Sequence, residues 1–167
     1  YLLPDPGYPD YFSGAALGEV NFETVPLLAK NNFLPDLDAI PEETAKKAKF
    51  FYLNYPNNPT GAVATKEFYT KLVAWAKKYH VGIISDFAYG AIGFDGQQPL
   101  SFMQTPGAKD VGIEFYTFSK TFNMAGWRIA FAVGNSDIIG ALNLIQDHLF
   151  VSIFPALQRA AIDALTK

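Results

Sequence analysis

Lys120 ends an apolar run, Ile113–Phe118, with Thr117 and Ser119 just before it and Arg128 eight positions after it. A primary amine attacks carbonyl carbon once it has lost its proton. Thr117 and Ser119 add hydroxyl donors, and Arg128 adds a planar fork suited to a phosphate. A second run, Val81–Ser85, is closed by Asp86, with Tyr89 three residues on. A third, Phe50–Tyr55, leads into Asn57-Asn58-Pro59-Thr60-Gly61. Alone, each has an ordinary explanation. A lysine at a strand end is usually solvated, an aspartate there caps a helix or a turn, a tyrosine packs, and Asn-Pro-Thr-Gly turns the chain. Together they close three different runs, and in an open α/β sheet ligands bind outside the carboxyl ends of the strands.

The set matches the needs of a pyridine aldehyde phosphate. Lys120 offers the amine for the aldehyde, and Asp86 a carboxylate that keeps the ring nitrogen protonated. Asn58 and Tyr89 can donate to the phenolic oxygen. Thr117, Ser119 and Arg128 suit the phosphate, and Tyr8 offers an aromatic face to the ring, although Tyr1, Tyr8, Tyr11 and Phe12 could equally pack on one another.

Positioning these residues requires strands that end at one edge. Val20–Leu28, Phe50–Tyr55, Val81–Ser85, Ile113–Phe118 and Ile129–Val133 are short, β-branched or aromatic, and closed by Gly, Pro, Asn or Asp, which predicts buried strands. The first residues, Tyr1-Leu2-Leu3, read as the end of a further strand. Thr65–Tyr79 has helical spacing, with Phe68, Leu72, Trp75, Ala76 and Tyr79 on one face and Thr65 as N-cap. Ser136 is expected to cap a helix carrying Ile138, Ile139, Leu142, Ile145 and Leu149. Another helix is expected from Pro155 onward and a shorter one over Pro41–Lys47. Ile129–Val133 follows Lys120 too closely for a parallel crossover, so it is expected to run antiparallel to its neighbour. The predicted fold class is α/β: a three-layer α/β/α sandwich around a mainly parallel mixed sheet, with the last strand antiparallel.

Composition narrows the function. A net charge of −3 over 167 residues gives no basic footprint for nucleic acid and no polybasic segment for an anionic membrane. No apolar run reaches the length of a membrane span. Cysteine is absent, which suits a cytoplasmic chain and excludes disulfide and thiolate chemistry. His80 and His148 lack partners at metal spacing and are expected to be structural or exposed. Gly90, Gly93 and Gly96 do not have the spacing of a nucleotide loop. Trp75 and Trp127 are expected in the core, and Lys46, Lys47 and Lys49 on a solvated face.

Asn54-Tyr55-Pro56-Asn57-Asn58-Pro59-Thr60-Gly61, then Asp86-Phe87-Ala88-Tyr89, then Thr117-Phe118-Ser119-Lys120 with Arg128, resembles the motif series of class I/II (fold-type I) pyridoxal phosphate-dependent aminotransferases, over essentially the whole chain. The resemblance implies that Lys120 carries the cofactor and moves the substrate's proton. It implies that Asp86 pairs with the ring nitrogen, and that Asn58 and Tyr89 bind the phenolic oxygen. Thr117, Ser119 and Arg128 would bind the phosphate, and Tyr8 would stack on the ring. The stretch from Ser85 to Gly96 resembles the bacterial subgroup of diaminopimelate, alanine and methionine-salvage aminotransferases, and most closely the last, which aminates 2-keto-4-methylthiobutyrate.

Members of that family are well over twice as long and work as homodimers. They carry a C-terminal arginine for the substrate carboxylate, whereas this chain has only Arg128 and Arg159. Residues 1–167 are therefore expected to be the large, cofactor-binding domain without the N-terminal segment and C-terminal small domain, and unable to turn over alone. Two other functions fit the same residues: a carbon–sulfur β-lyase on this scaffold, and an aminotransferase-like regulatory binding domain.

Overall fold

The computed structural model describes all 167 residues. Six strands form one sheet: β1 (Leu2–Asp5), β2 (Glu23–Pro26), β3 (Phe50–Asn54), β4 (Gly82–Asp86), β5 (Gly112–Thr117) and β6 (Ala130–Gly134). Their order is β2-β1-β3-β4-β5-β6. All neighbours are parallel except β5 and β6, which are antiparallel with Glu114 opposite Val133 and Thr117 opposite Ala130. The fold class is the one expected, a mixed α/β sheet with its last pair antiparallel. At the end of the β5–β6 pair away from their connection, Gly134 has φ +143°, and a Cβ there would lie 2.3 Å from the Gly112 carbonyl oxygen. Only glycine allows that approach.

Helices α1 (Pro9–Leu17), α2 (Glu42–Lys47), α3 (Lys66–Tyr79), α4 (Ala108–Val111), α5 (Phe118–Thr121), α6 (Ser136–Leu149) and α7 (Pro155–Thr166) complete the chain. Strand alternation sends Phe51, Leu53 and Ile83 to one face of the sheet, where they pack with Ala45 of α2, Tyr69 and Leu72 of α3, and Ala108 of α4. Tyr52 and Asp86 point to the other face, where the ring of Tyr11 of α1 packs tilted against Tyr52 at 5.6 Å and its hydroxyl hydrogen-bonds Asp86. This gives the three layers. Thr65 caps α3 as expected, its hydroxyl accepting from Phe68 N at 3.1 Å.

Three expectations need correction, and one helix was not expected. The strand expected over Val20–Leu28 is confined to Glu23–Pro26. The cap of α6 is Asn135, whose Oδ1 accepts from Asp137 N and Ile138 N, and Ser136 is already inside the helix. Asn135 has both an extended backbone and a longer acceptor, so it takes the cap position. Trp127 is 47% exposed and lies outside the core. It belongs to a 3₁₀ turn, Ala125–Trp127, none of whose residues is buried. Pro9–Leu17 is a helix that the sequence pattern did not announce. No residue of α6 is buried, and Leu144, Ile145, Leu149, Phe150, Val151 and Phe154 are all exposed.

Candidate active site

The carboxyl ends of β3, β4 and β5 open into a cavity of about 510 Å³. Tyr8, Asn58, Asp86, Tyr89, Thr117, Ser119, Lys120 and Arg128 all line it. All eight residues singled out by type and spacing therefore meet at one place.

The last residue of each strand sets the geometry. Asn54 ends β3, and its Nδ2 donates to the Asp86 carbonyl oxygen at 2.9 Å while its Oδ1 accepts from Asn58 N at 2.7 Å. One buried amide thus joins the end of β3 to the end of β4 and holds the start of the Asn58 turn. That turn closes on itself, with Gly61 N donating to Asn57 O and the Thr60 hydroxyl donating to Asn57 Oδ1 at 2.7 Å.

Asp86 ends β4. Its Oδ1 accepts from Ala88 N at 3.1 Å, and its Oδ2 accepts from the Tyr11 hydroxyl at 2.6 Å. The Tyr11 phenol is pushed far above the usual tyrosine range, first by burial and then by the Asp86 carboxylate, so it remains a donor. Asp86 is half-buried, and these two bonds fix its orientation.

Thr117 ends β5 and caps α5, its Oγ1 accepting from Ser119 N at 3.1 Å. One turn of helix then carries Lys120 over the cavity, with Nζ 5.9 Å from the centroid of the Tyr89 ring. Arg128 sits in a left-handed conformation, φ 51°, and its guanidinium donates to the Ala125 carbonyl at 3.0 Å. Tyr8, at the N-terminal end of α1, meets Tyr11 edge-on at 5.8 Å and is 39% exposed. Its phenol is raised chiefly by the neighbouring Asp10 carboxylate.

The side chains of Asn58, Tyr89, Ser119 and Lys120 form no hydrogen bond within the chain, and Arg128 commits only one donor, to Ala125. The cavity therefore presents an amine, a guanidinium, a hydroxyl, a phenol and an amide with free hydrogen-bonding capacity, beside one oriented carboxylate. That donor set fits a small anionic ligand with a basic ring nitrogen. No group of three or more His, Asp or Glu residues is placed to hold a metal. His80 and His148 are exposed. A larger adjoining cavity, about 630 Å³, shares Asn58 and Tyr89 but holds neither a lysine nor an arginine. The amine and the guanidinium single out the smaller one.

Tyr11, Asn54, Asp10 and Tyr52 also line the site and were not singled out by spacing. For Tyr11 one signal was available: Pro9 at the first position of a helix places Tyr11 on the turn facing the sheet. Asn54 stood in the quoted motif, but its role depends on Asp86 O, a contact across two strands.

A family profile described as "Aminotransferase class I and II" matches residues 1–167. The chain is 59% identical over 164 residues to L-glutamine–4-(methylsulfanyl)-2-oxobutanoate aminotransferase of Bacillus subtilis, covering 98% of this chain and 41% of that protein. It is 54% identical over 164 residues to LL-diaminopimelate aminotransferase of Aquifex aeolicus, covering 98% and 42%. Among solved structures, substrate-bound BacF from Bacillus subtilis superposes with a TM-score of 0.97 at 54% identity, covering 99% of this chain and 42% of that one. The chain thus spans about two fifths of the length of the relatives it matches. By its profile, its identities and its fold, it belongs to the class I and II aminotransferase family.

Proposed function

We propose that this chain is the cofactor-binding large domain of a pyridoxal phosphate-dependent aminotransferase, which moves an amino group between an amino acid and a 2-keto acid. The convergence of Lys120, Asp86 and uncommitted donors on one cavity carries that reading. Bound there, pyridoxal phosphate supplies an aldehyde carbon and a protonated ring that withdraws electrons from the substrate's α-carbon. Lys120 Nζ would hold the aldehyde carbon and is the amine placed to take the substrate's α-proton as base and return it as acid. Asp86, held by Tyr11 and by the Ala88 amide, keeps the ring nitrogen protonated. Asn58 and Tyr89 donate to the phenolic oxygen. Thr117, Ser119 and Arg128 bind the phosphate. Tyr8 lies against the ring.

The amino acceptor proposed is 2-keto-4-methylthiobutyrate, which the 59% identity to the Bacillus subtilis aminotransferase named for that compound supports. The substrate clamp is assigned to residues outside this chain, so the chain alone is proposed not to turn over. The intact protein is proposed to be a cytoplasmic homodimer, and the exposed apolar residues of α6 and α7 are surface such an assembly could cover. No helix is long and apolar enough to cross a membrane.

Adding pyridoxal phosphate should give a visible or near-ultraviolet band that borohydride traps on Lys120. A Lys120→Ala chain that traps the cofactor equally well would refute the assignment. In the intact protein, an amino donor should yield a keto acid without ammonia. Release of ammonia would instead assign a carbon–sulfur β-lyase, and cofactor binding without turnover a regulatory domain.

A further inference from the structure

Glu114 is a fully buried carboxylate on β5, and no cation pairs with it. A charge taken out of water costs several kcal/mol unless its oxygens are satisfied. Here two donors reach each oxygen. Oε1 accepts from the Ser101 hydroxyl at 2.5 Å and the Tyr116 hydroxyl at 2.6 Å. Oε2 accepts from the Ser85 hydroxyl and from Phe102 N, both at 2.9 Å. This network lies on the face of the sheet opposite the cavity, since Ser85 alternates with Asp86 along β4.

The partners of Glu114 bracket one segment. Ser85 precedes Asp86, and Ser101 and Phe102 receive the chain after the excursion Phe87–Leu100, which carries Tyr89. At the start of the excursion Phe87 N still donates to Phe115 O of β5 at 3.0 Å; beyond it the backbone bonds are local turns, Gly90 N to Phe87 O, Ile92 N to Tyr89 O and Gln97 N to Phe94 O, and residues 91–98 are all exposed. Such a segment has little of its own to fix it. A second route leads to the same place: Tyr116, bound to Glu114 through its hydroxyl, packs its ring edge-on against Phe87 at 5.5 Å, two residues before Tyr89.

We propose that Glu114 is a positioning residue of the cofactor site, pinning both ends of the Phe87–Leu100 excursion and so setting where the Tyr89 hydroxyl meets the cofactor's phenolic oxygen. The inference rests on the proposal that this cavity holds pyridoxal phosphate. Glu114→Gln keeps the shape of the side chain but turns an NH₂ group toward two of the donors, which then lose their acceptor.

The test is a double-mutant cycle in the intact protein, with Glu114→Gln, Tyr89→Phe and the pair. The readouts are the dissociation constant for pyridoxal phosphate and the pH midpoint of its bound absorbance band. Glu114→Gln should weaken binding about tenfold, the scale of one lost charge-assisted hydrogen bond. It should move the midpoint in the same direction as Tyr89→Phe. In the Tyr89→Phe background the same change should shrink to less than about twofold. Effects that add fully, or a fall in melting temperature with both readouts unmoved, would overturn the proposal. Should Glu114→Gln fail to fold, Ser101→Ala, which removes one donor to Glu114 and a bond to the Tyr116 hydroxyl, takes its place in the cycle with the same criteria. Loss of borohydride trapping at Lys120 in the unmutated protein would refute the cofactor reading itself. Intact trapping with additive effects would remove only the role of Glu114.

Discussion

Tyr11 reaches Asp86 from the first turn of α1, and its hydroxyl donates at 2.6 Å to a carboxylate with only one other donor. A hydrogen bond to a charged group contributes about 1.5–3 kcal/mol, so the orientation of Asp86 depends heavily on this one phenol. Tyr11→Phe should keep the ring packed against Tyr52 and weaken pyridoxal phosphate binding roughly tenfold, as read by titration of the bound cofactor's absorbance. An unchanged affinity would show that the Ala88 amide alone holds Asp86. At this scale the sequence was informative where a residue's type and its place at the end of an apolar run coincide. Lys120, Asp86, Tyr89 and Asn58 qualify, and all line the cavity. Tyr11, Asn54 and Glu114 act through partners 75, 32 and up to 29 positions away, and no local pattern encodes such contacts.

The caps of α3 and α6 separate two kinds of helix start. Thr65 accepts one bond, from Phe68 N, whereas Asn135 accepts from Asp137 N and Ile138 N and also donates from Nδ2 to Asp110 O at 3.0 Å. Losing a single cap costs about 1 kcal/mol, so Thr65→Ala should lower stability by that amount. Asn135→Ala removes the cap and a tie to α4 together and should cost more, about 2 kcal/mol. Denaturant midpoints for the two variants test the order, and equal losses would show that the Asp110 contact contributes nothing. Helices with a clear apolar period were legible in advance, α3 to within a residue. Pro9–Leu17 was not, because Pro6, Gly7 and Pro9 read as a turn and Gly14 interrupts the period, while the packing of Tyr11 and Ala15 on the sheet supplies the stability. The apolar stripe of α6 was legible, but periodicity names a face without naming what covers it, and here Ile138, Ile139 and Leu142 are half-buried while Ile145 and Leu149 are exposed.

Burial across the molecule is uneven, and tyrosine ionisation should report it. The main core lies between β1, β3, β4 and α3, whereas β6, α6 and α7 contribute little to it. Of the nine tyrosines, Tyr55 and Tyr69 lie in that core and Tyr11 at the edge of the cavity. Burial pushes all three phenols far above the usual range. Burial and the hydrogen bond to Glu114 push Tyr116 up to about 12. The fold favours the neutral phenol at each of these positions. Their contribution to stability is therefore complete below the unfolded value of about 10, and for Tyr116 it is lost as pH rises from there through about 12. Phenolate absorbance should consequently rise in two stages, first from the exposed tyrosines and then in a cooperative step that coincides with loss of far-ultraviolet circular dichroism. Tyr116→Phe should leave the cooperative step in place, since Tyr11, Tyr55 and Tyr69 still resist ionisation. A single smooth titration near pH 10 with the dichroism intact would mean that these hydroxyls reach solvent without unfolding, and that the core between β3, β4 and α3 is open to water.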